Sequence, residues 1–332
     1  MKLSVSLAIV LGLAVATVIA GYFGFAAVLQ AVSRIGWRGL GVLCLYTALP
    51  FCLLGSAWFV VSPPATSARL SGHILARVVR DSAGELLPFS HVGGFVFGAR
   101  AAVLAGLSSA QAFSTTVVDV TTELIAQLGF IGLGLGLLVA RLGPAKAQGG
   151  LVGSVALGLA LTTAAAAAFI ALQRRGAGLA EKLAGRFAPE AATRTGDLGR
   201  ALNALYDRPG RIAAAVGLHL AAWVASAIGA WLALKVGGVP IRLDAIIAVE
   251  SLVGAARTAG FFAPMGIGVQ EAAYVLIGPV FGLGPELALA LSLVKRARDL
   301  VIGAPALLIW QFVEGRRVMS RGSLSGSGRD GG

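Results

Sequence analysis

Long apolar runs separated by short basic stretches dominate the pattern of this chain. A bilayer crossing needs about 20 mostly apolar residues. Runs at 3–32, 39–61, 112–140, 151–172, 211–234 and 285–311 meet that requirement. Two other regions, 65–107 and 243–283, are apolar only in part. The first is interrupted at Leu87-Pro88-Phe89-Ser90-His91-Val92-Gly93-Gly94, the second at Ala263-Pro264-Met265-Gly266-Ile267-Gly268. Proline removes a backbone donor and turns the preceding residue away from helix. Non-helical backbone survives at membrane depth only where protein buries it or where it lines water. The pattern predicts an all-α polytopic transmembrane helix bundle of six full spans, with two Pro/Gly-broken re-entrant helical regions. A full crossing by 87–107 is the rival topology.

The broken regions look like two copies of one plan. An offset of 176 residues places Pro88 on Pro264, Gly106-Leu107 on Gly282-Leu283, Val118 on Val294 and Glu123-Leu124 on Asp299-Leu300. The match of scarce prolines and buried acids suggests a duplication, with halves near 65–140 and 243–311. Loop bases set the orientation. The 173–210 segment is rich in Arg and Lys, as is the stretch after the last span. Both are expected on the cytoplasmic side, with both termini and with Arg69, Arg77 and Arg80. The second broken region would then enter from the opposite side, as in an inverted-topology repeat. The plan is one transmembrane domain over 1–321 and a Gly/Ser-rich disordered tail over 322–332.

Composition supports a membrane setting. Hydrophobic residues make up 57% of the chain and charged residues 13%, against about 45–50% and about 25% in soluble domains. The mean hydropathy is +0.85. The net charge of +12 sits mainly in loops facing anionic lipid, which argues against nucleic acid as a partner. Cys44 and Cys52 are eight residues apart, roughly 12 Å along a helix, too far for a disulfide. Lys2 and Ala14-Val15-Ala16 imitate a signal peptide, but the apolar run continues to Val32, so an uncleaved first span is expected.

Charge inside the last span carries the chemistry. Lys295, Arg296, Arg298 and Asp299 lie near its middle, where each charge facing lipid costs about 2.5–3.5 kcal/mol. Lys295, Arg298 and Asp299 share one helical face, with Arg296 turned about 100° away. The corresponding span carries Asp119 and Glu123, with Thr116, Thr122 and Gln127 nearby. These faces are expected to meet at the bundle centre. They form either an ion-pair network that only holds helices together or a polar cavity for a charged headgroup. The excess of base on the last span points to an anionic group such as phosphate. The breaks are the second candidate site, with Glu85, His91 and Arg100 flanking the first and Arg257, Gln270 and Glu271 the second. Their helix N-termini would attract an anion. His73, His91 and His219 have no metal spacing, and no nucleotide or hydrolase motif is present, so neither metal nor cofactor is expected.

The stretch Glu85 to Gly94, followed by Val118-Asp119 and Glu123, resembles the first signature of the lysylphosphatidylglycerol-synthase transmembrane family of flippase-like proteins. Ala263-Pro264-Met265-Gly266-Ile267-Gly268-Val269-Gln270-Glu271 resembles its second, with Met265 where the family often has glycine. Residues 288–299 are similar to a subgroup associated with hopanoid biosynthesis. The resemblance implies a bacterial inner-membrane protein that moves or handles lipid. It marks Pro88, Gly93, Gly94, Glu123, Pro264, Gly266, Gly268 and Glu271 as functional positions. The soluble domain that performs chemistry in the aminoacyl-lipid synthases is not expected here.

The leading expectation is a lipid transporter without enzymatic activity. Lys295, Arg298 and Arg257 would hold a headgroup, and Glu123, Asp119 and Asp299 would act as counter-ions and proton sites. The lipid would be a hopanoid, an isoprenoid-linked lipid or an anionic phospholipid. The alternatives are an accessory protein that docks lipid-biosynthesis enzymes through 173–210, and an integral-membrane lipid-modifying enzyme.

Overall fold

A computed structural model describes residues 25–64, 68–87, 90–142, 203–260 and 266–326, with scattered positions between 153 and 171. The described secondary structure is helical: α1 Phe25–Tyr46, α2 Ala48–Val61, α3 Leu70–Leu86, α4 Ser90–Leu104, α5 Ser109–Leu142, α6 Pro209–Val236, α7 Leu243–Ala259, α8 Val269–Ile277 and α9 Pro285–Gly326. A short 3-10 turn, Gly278–Phe281, follows α8. Among the described residues three helical stretches are long and apolar enough to cross a membrane: Val32–Val61, Ser109–Leu142 and Pro209–Val236. Most of the runs 3–32 and 151–172, most of the basic segment 173–210, and both Pro88 and Pro264 lie outside the described residues.

Local sequence explains the helix ends. Val32–Val61 is interrupted at Thr47 because Pro50 can neither donate to nor fit against the Tyr46 carbonyl one turn earlier. Leu87, which precedes Pro88, is extended at φ −98°, ψ 142° and stops α3. α4 then folds back along α3. A Cβ on Gly94 would lie 2.7 Å from the Arg80 carbonyl oxygen, and one on Gly98 would lie 2.7 Å from the Arg80 Cβ. Only glycine lets the two limbs approach this closely. At the open end of the hairpin Gly72 lies against Ala105. Limbs of 17 and 15 residues reach about 22–26 Å, short of a 30 Å hydrocarbon core. The geometry is that of a hairpin whose two limbs lie side by side. Gly93 and Gly94 therefore belong to the returning helix rather than to the break.

The second broken region makes a second hairpin, α7 and α8, with Gly260 against Val269 at its tip. α6 shows that the two hairpins open onto opposite ends of the bundle. Near its start Arg211 donates to the Ser62 carbonyl at 2.9 Å, and Ser62 is bonded to His73 in the first turn of α3. Just past its other end Gly237 packs on the Arg34 backbone, a few residues before α7 begins. α5 and α9 each run from one end to the other and flank the hairpins. The apolar core follows this division. One cluster contains Trp58, Ala83, Ala99 and Val118, and the other contains Leu43, Leu234, Val249 and Leu291. Large apolar side chains such as Trp37, Leu45, Leu276 and Ile309 are exposed on the outside, as they would be with lipid as solvent.

Two expectations change here. Arg77 and Arg80, expected among loop bases, are 1% and 5% exposed, because they lie on the inner face of α3 opposite the acids of α5. α9 continues to Gly326, past the expected boundary at Gly322, since extending a formed helix by a residue is far easier than nucleating one.

Candidate functional site

The tips of the two hairpins meet. Glu85, one turn before the first break, accepts two bonds from the Arg257 guanidinium, at 2.6 and 2.8 Å. Arg257 stands just before the second break. On either side of this contact lies a charged cluster, and each is built by a hairpin limb and a long helix.

The first cluster pairs α3 with α5. The spacing of Arg77, Arg80 and Asp81 puts all three on one face of α3. Asp119 and Glu123 share one face of α5 by the same rule. Arg77 donates to Asp119 at 2.9 Å and also to Glu123, and its Nε reaches Asp81 at 2.9 Å. Arg80 donates to Asp119 and, at 2.5 Å, to Glu123. Its guanidinium also lies 4.9 Å from the Phe95 ring centroid. Behind them His219 of α6 bonds Asp119 at 3.2 Å. Arg77 is thus held by three acids and Arg80 by two, and Asp119 is fully buried.

The second cluster pairs the second hairpin with α9, and the signs are reversed. Glu250 of α7 accepts bonds from Lys295 of α9 and from the Tyr274 hydroxyl of α8, and Lys295 donates to that hydroxyl at 2.8 Å. Arg298 pairs with its neighbour Asp299 on the same helix. Arg296 points elsewhere. It donates to Glu271 at 2.5 Å and to the Gly266 carbonyl at 3.0 Å. Glu271 in turn accepts the Gly268 N–H at 2.8 Å, which caps the start of α8. Gly266 and Gly268 hold φ +60° and +84°, a region open to glycine and strained for other residues. Arg296 and Glu271 therefore pin the second break.

Between the clusters lies a cavity of about 390 Å³. Of the expected site residues, Glu123, Arg257, Gln270, Lys295, Arg298 and Asp299 line it. Asp119 and Glu271 sit outside its lining and orient groups around it. Gln270 also bonds Ser292 of α9 at 2.9 Å. Arg100 is not part of the site: its side chain is 54% exposed and pairs with Glu314. The fourteen residues separating Glu85 from Arg100 carry it back along the hairpin to the outer face. The excess of base read on the last span is also cancelled, because Glu250 brings an acid to Lys295 and Glu271 one to Arg296.

Sequence reasoning missed Arg77, Arg80, His219, Glu250 and Tyr274 as parts of this site. Several left a signal. Arg77, Arg80, Asp81 and Glu85 recur at helical spacing, and Glu250 is a lone acid in an otherwise apolar stretch. Trp223 in the cavity wall stacks near Phe130, and its indole N–H has no acceptor among the described residues.

A protein-family comparison matches residues 8–306 to the family described as the lysylphosphatidylglycerol synthase TM region. No curated protein and no solved structure matches the chain. The chain belongs to the lysylphosphatidylglycerol synthase transmembrane family.

Proposed function

We propose that this member of the family moves a lipid between membrane leaflets, holding its polar head in the cavity between the hairpin tips. The observation that carries the reading is the placement of a charged cavity where two hairpins from opposite ends of the bundle meet. Short broken helices that meet near the midplane are the plan on which many transporters build their substrate sites. The matching order of the halves, hairpin then long helix in each, supports an inverted repeat. Alternate opening at the two ends would expose one central site to one leaflet and then the other.

Lys295 and Arg298 present cations to the head, and Glu123 and Glu250 present anions. The basic loops support a bacterial inner-membrane setting with both termini on the cytoplasmic side. The link to hopanoid or related isoprenoid lipids rests on the likeness of 288–299, and comparison of lipid extracts with and without the protein tests it. The transport reading is tested by reconstitution. Purified protein in liposomes moves a labelled lipid between leaflets, and Lys295→Ala and Glu123→Ala slow it. Normal movement in both variants rejects the cavity as the pathway.

A further inference from the structure

The charge inventory of the cavity restricts what can enter it. Its wall carries five basic and five acidic side chains, with Asp119 directly behind in contact with Arg77 and Arg80. A headgroup of net negative charge would meet no surplus of cations and would bring an uncompensated charge to membrane depth, which is unfavourable. An uncharged head could not replace either member of an ion pair. A head that carries both signs can exchange partners and leave the balance unchanged.

The pairs facing the cavity differ in how readily they exchange. Arg77 is locked by three acids and Arg80 by two, whereas Arg298 pairs with its neighbour on the same helix and Lys295 with Glu250 and Tyr274. The α9 side therefore offers a cation to a phosphate and leaves a carboxylate to an ammonium. The Trp223 N–H adds a neutral donor suited to an ester or phosphate oxygen. We infer that the lipid held by the balanced cavity is zwitterionic, with an ammonium and a phosphate on one headgroup. This rests on the lipid-transport reading above and narrows it.

The test uses the full chain purified in detergent and three lipids with the same fluorescent acyl chain: phosphatidylethanolamine, phosphatidylglycerol and a monoglucosyl diacylglycerol. Binding in the cavity is the part lost in Gly254→Phe. Gly254 lines the cavity, and a Cβ there meets nothing within 4 Å, so the larger side chain fills space without displacing a neighbour at its root. In that component phosphatidylethanolamine binds at least tenfold more tightly than the other two. Glu250→Gln leaves the wall with five bases against four acids and moves the preference toward phosphatidylglycerol, and adding Lys295→Met restores it. Equal or tighter cavity binding of either other lipid in the unaltered chain overturns the inference, as does a preference unmoved by Glu250→Gln. If Glu250→Gln does not fold, the comparison in the unaltered chain still decides. Leaflet movement, followed in parallel, separates the two readings. Selective binding without movement keeps the headgroup assignment and removes transport, while movement with phosphatidylglycerol preferred does the reverse.

Discussion

The two charged clusters use the same parts in opposite order. In the first, the hairpin limb α3 carries the arginines and the long helix α5 the acids; in the second, α7 carries the acid and the long helix α9 the bases. They also differ in how firmly they are tied. Arg77 and Arg80 each bind both Asp119 and Glu123, so losing one bond leaves others in place. Lys295 has one carboxylate partner, and Arg298 pairs only with its own neighbour among the described ion pairs. On the transport reading, the arginines of the first cluster hold helices together, and the second cluster presents charge that a ligand can claim. A buried charge is therefore not by itself a functional one; the number of its partners separates the two roles.

The most severe way to test that contrast is to remove the shared acid of the first cluster. Asp119→Ala takes one acid from each of two buried arginines and removes the carboxylate that His219 bonds, and breaking a buried pair costs about 3–5 kcal/mol. We expect the largest fall in melting temperature in detergent, with loss of transport following the loss of fold. Lys295→Met reverses the order of the effects. Glu250 keeps its bond from Tyr274, so the loss of stability is smaller, roughly 1–3 kcal/mol, while leaflet movement drops at least tenfold. If Lys295→Met melts as low as Asp119→Ala, the two clusters do not divide structure from function.

Glu85→Gln weakens the contact between the hairpin tips. Both partners are partly exposed, so about 1 kcal/mol or less is at stake. Hydrogen exchange should rise in 250–260 and stay unchanged in the first half of α5. The smallest effect belongs to Arg100→Ala, which removes an exposed pair with Glu314 worth about 0.2–1 kcal/mol. Melting and transport should both stay close to the unaltered protein, and a strong transport defect would return Arg100 to the site.

Much of this was legible in the sequence where periodicity and insertion cost speak together. Charges spaced at 295, 298 and 299, and acids at 119 and 123, had to face inward, and they do line or support one centre. The partners were harder to read. Arg77 and Arg80 sit in a polar stretch with Arg69 and look like loop bases until the hairpin folds them against α5. Cancellation of the last span's positive charge depends on Glu250 and Glu271 arriving from other elements. Arg296 illustrates the same limit: spacing sets it about 100° from Lys295, but only the structure shows that it turns to the second break. Helix faces follow from spacing, but pairings between distant elements follow from topology.

The central claim is that lipid passes through the cavity between the hairpin tips. Its most direct test is the rate at which a labelled lipid crosses between leaflets in liposomes containing the unaltered chain or Gly254→Phe, each shown to melt at a similar temperature. The account predicts at least a tenfold slower rate when the cavity is filled. Equal rates would contradict it.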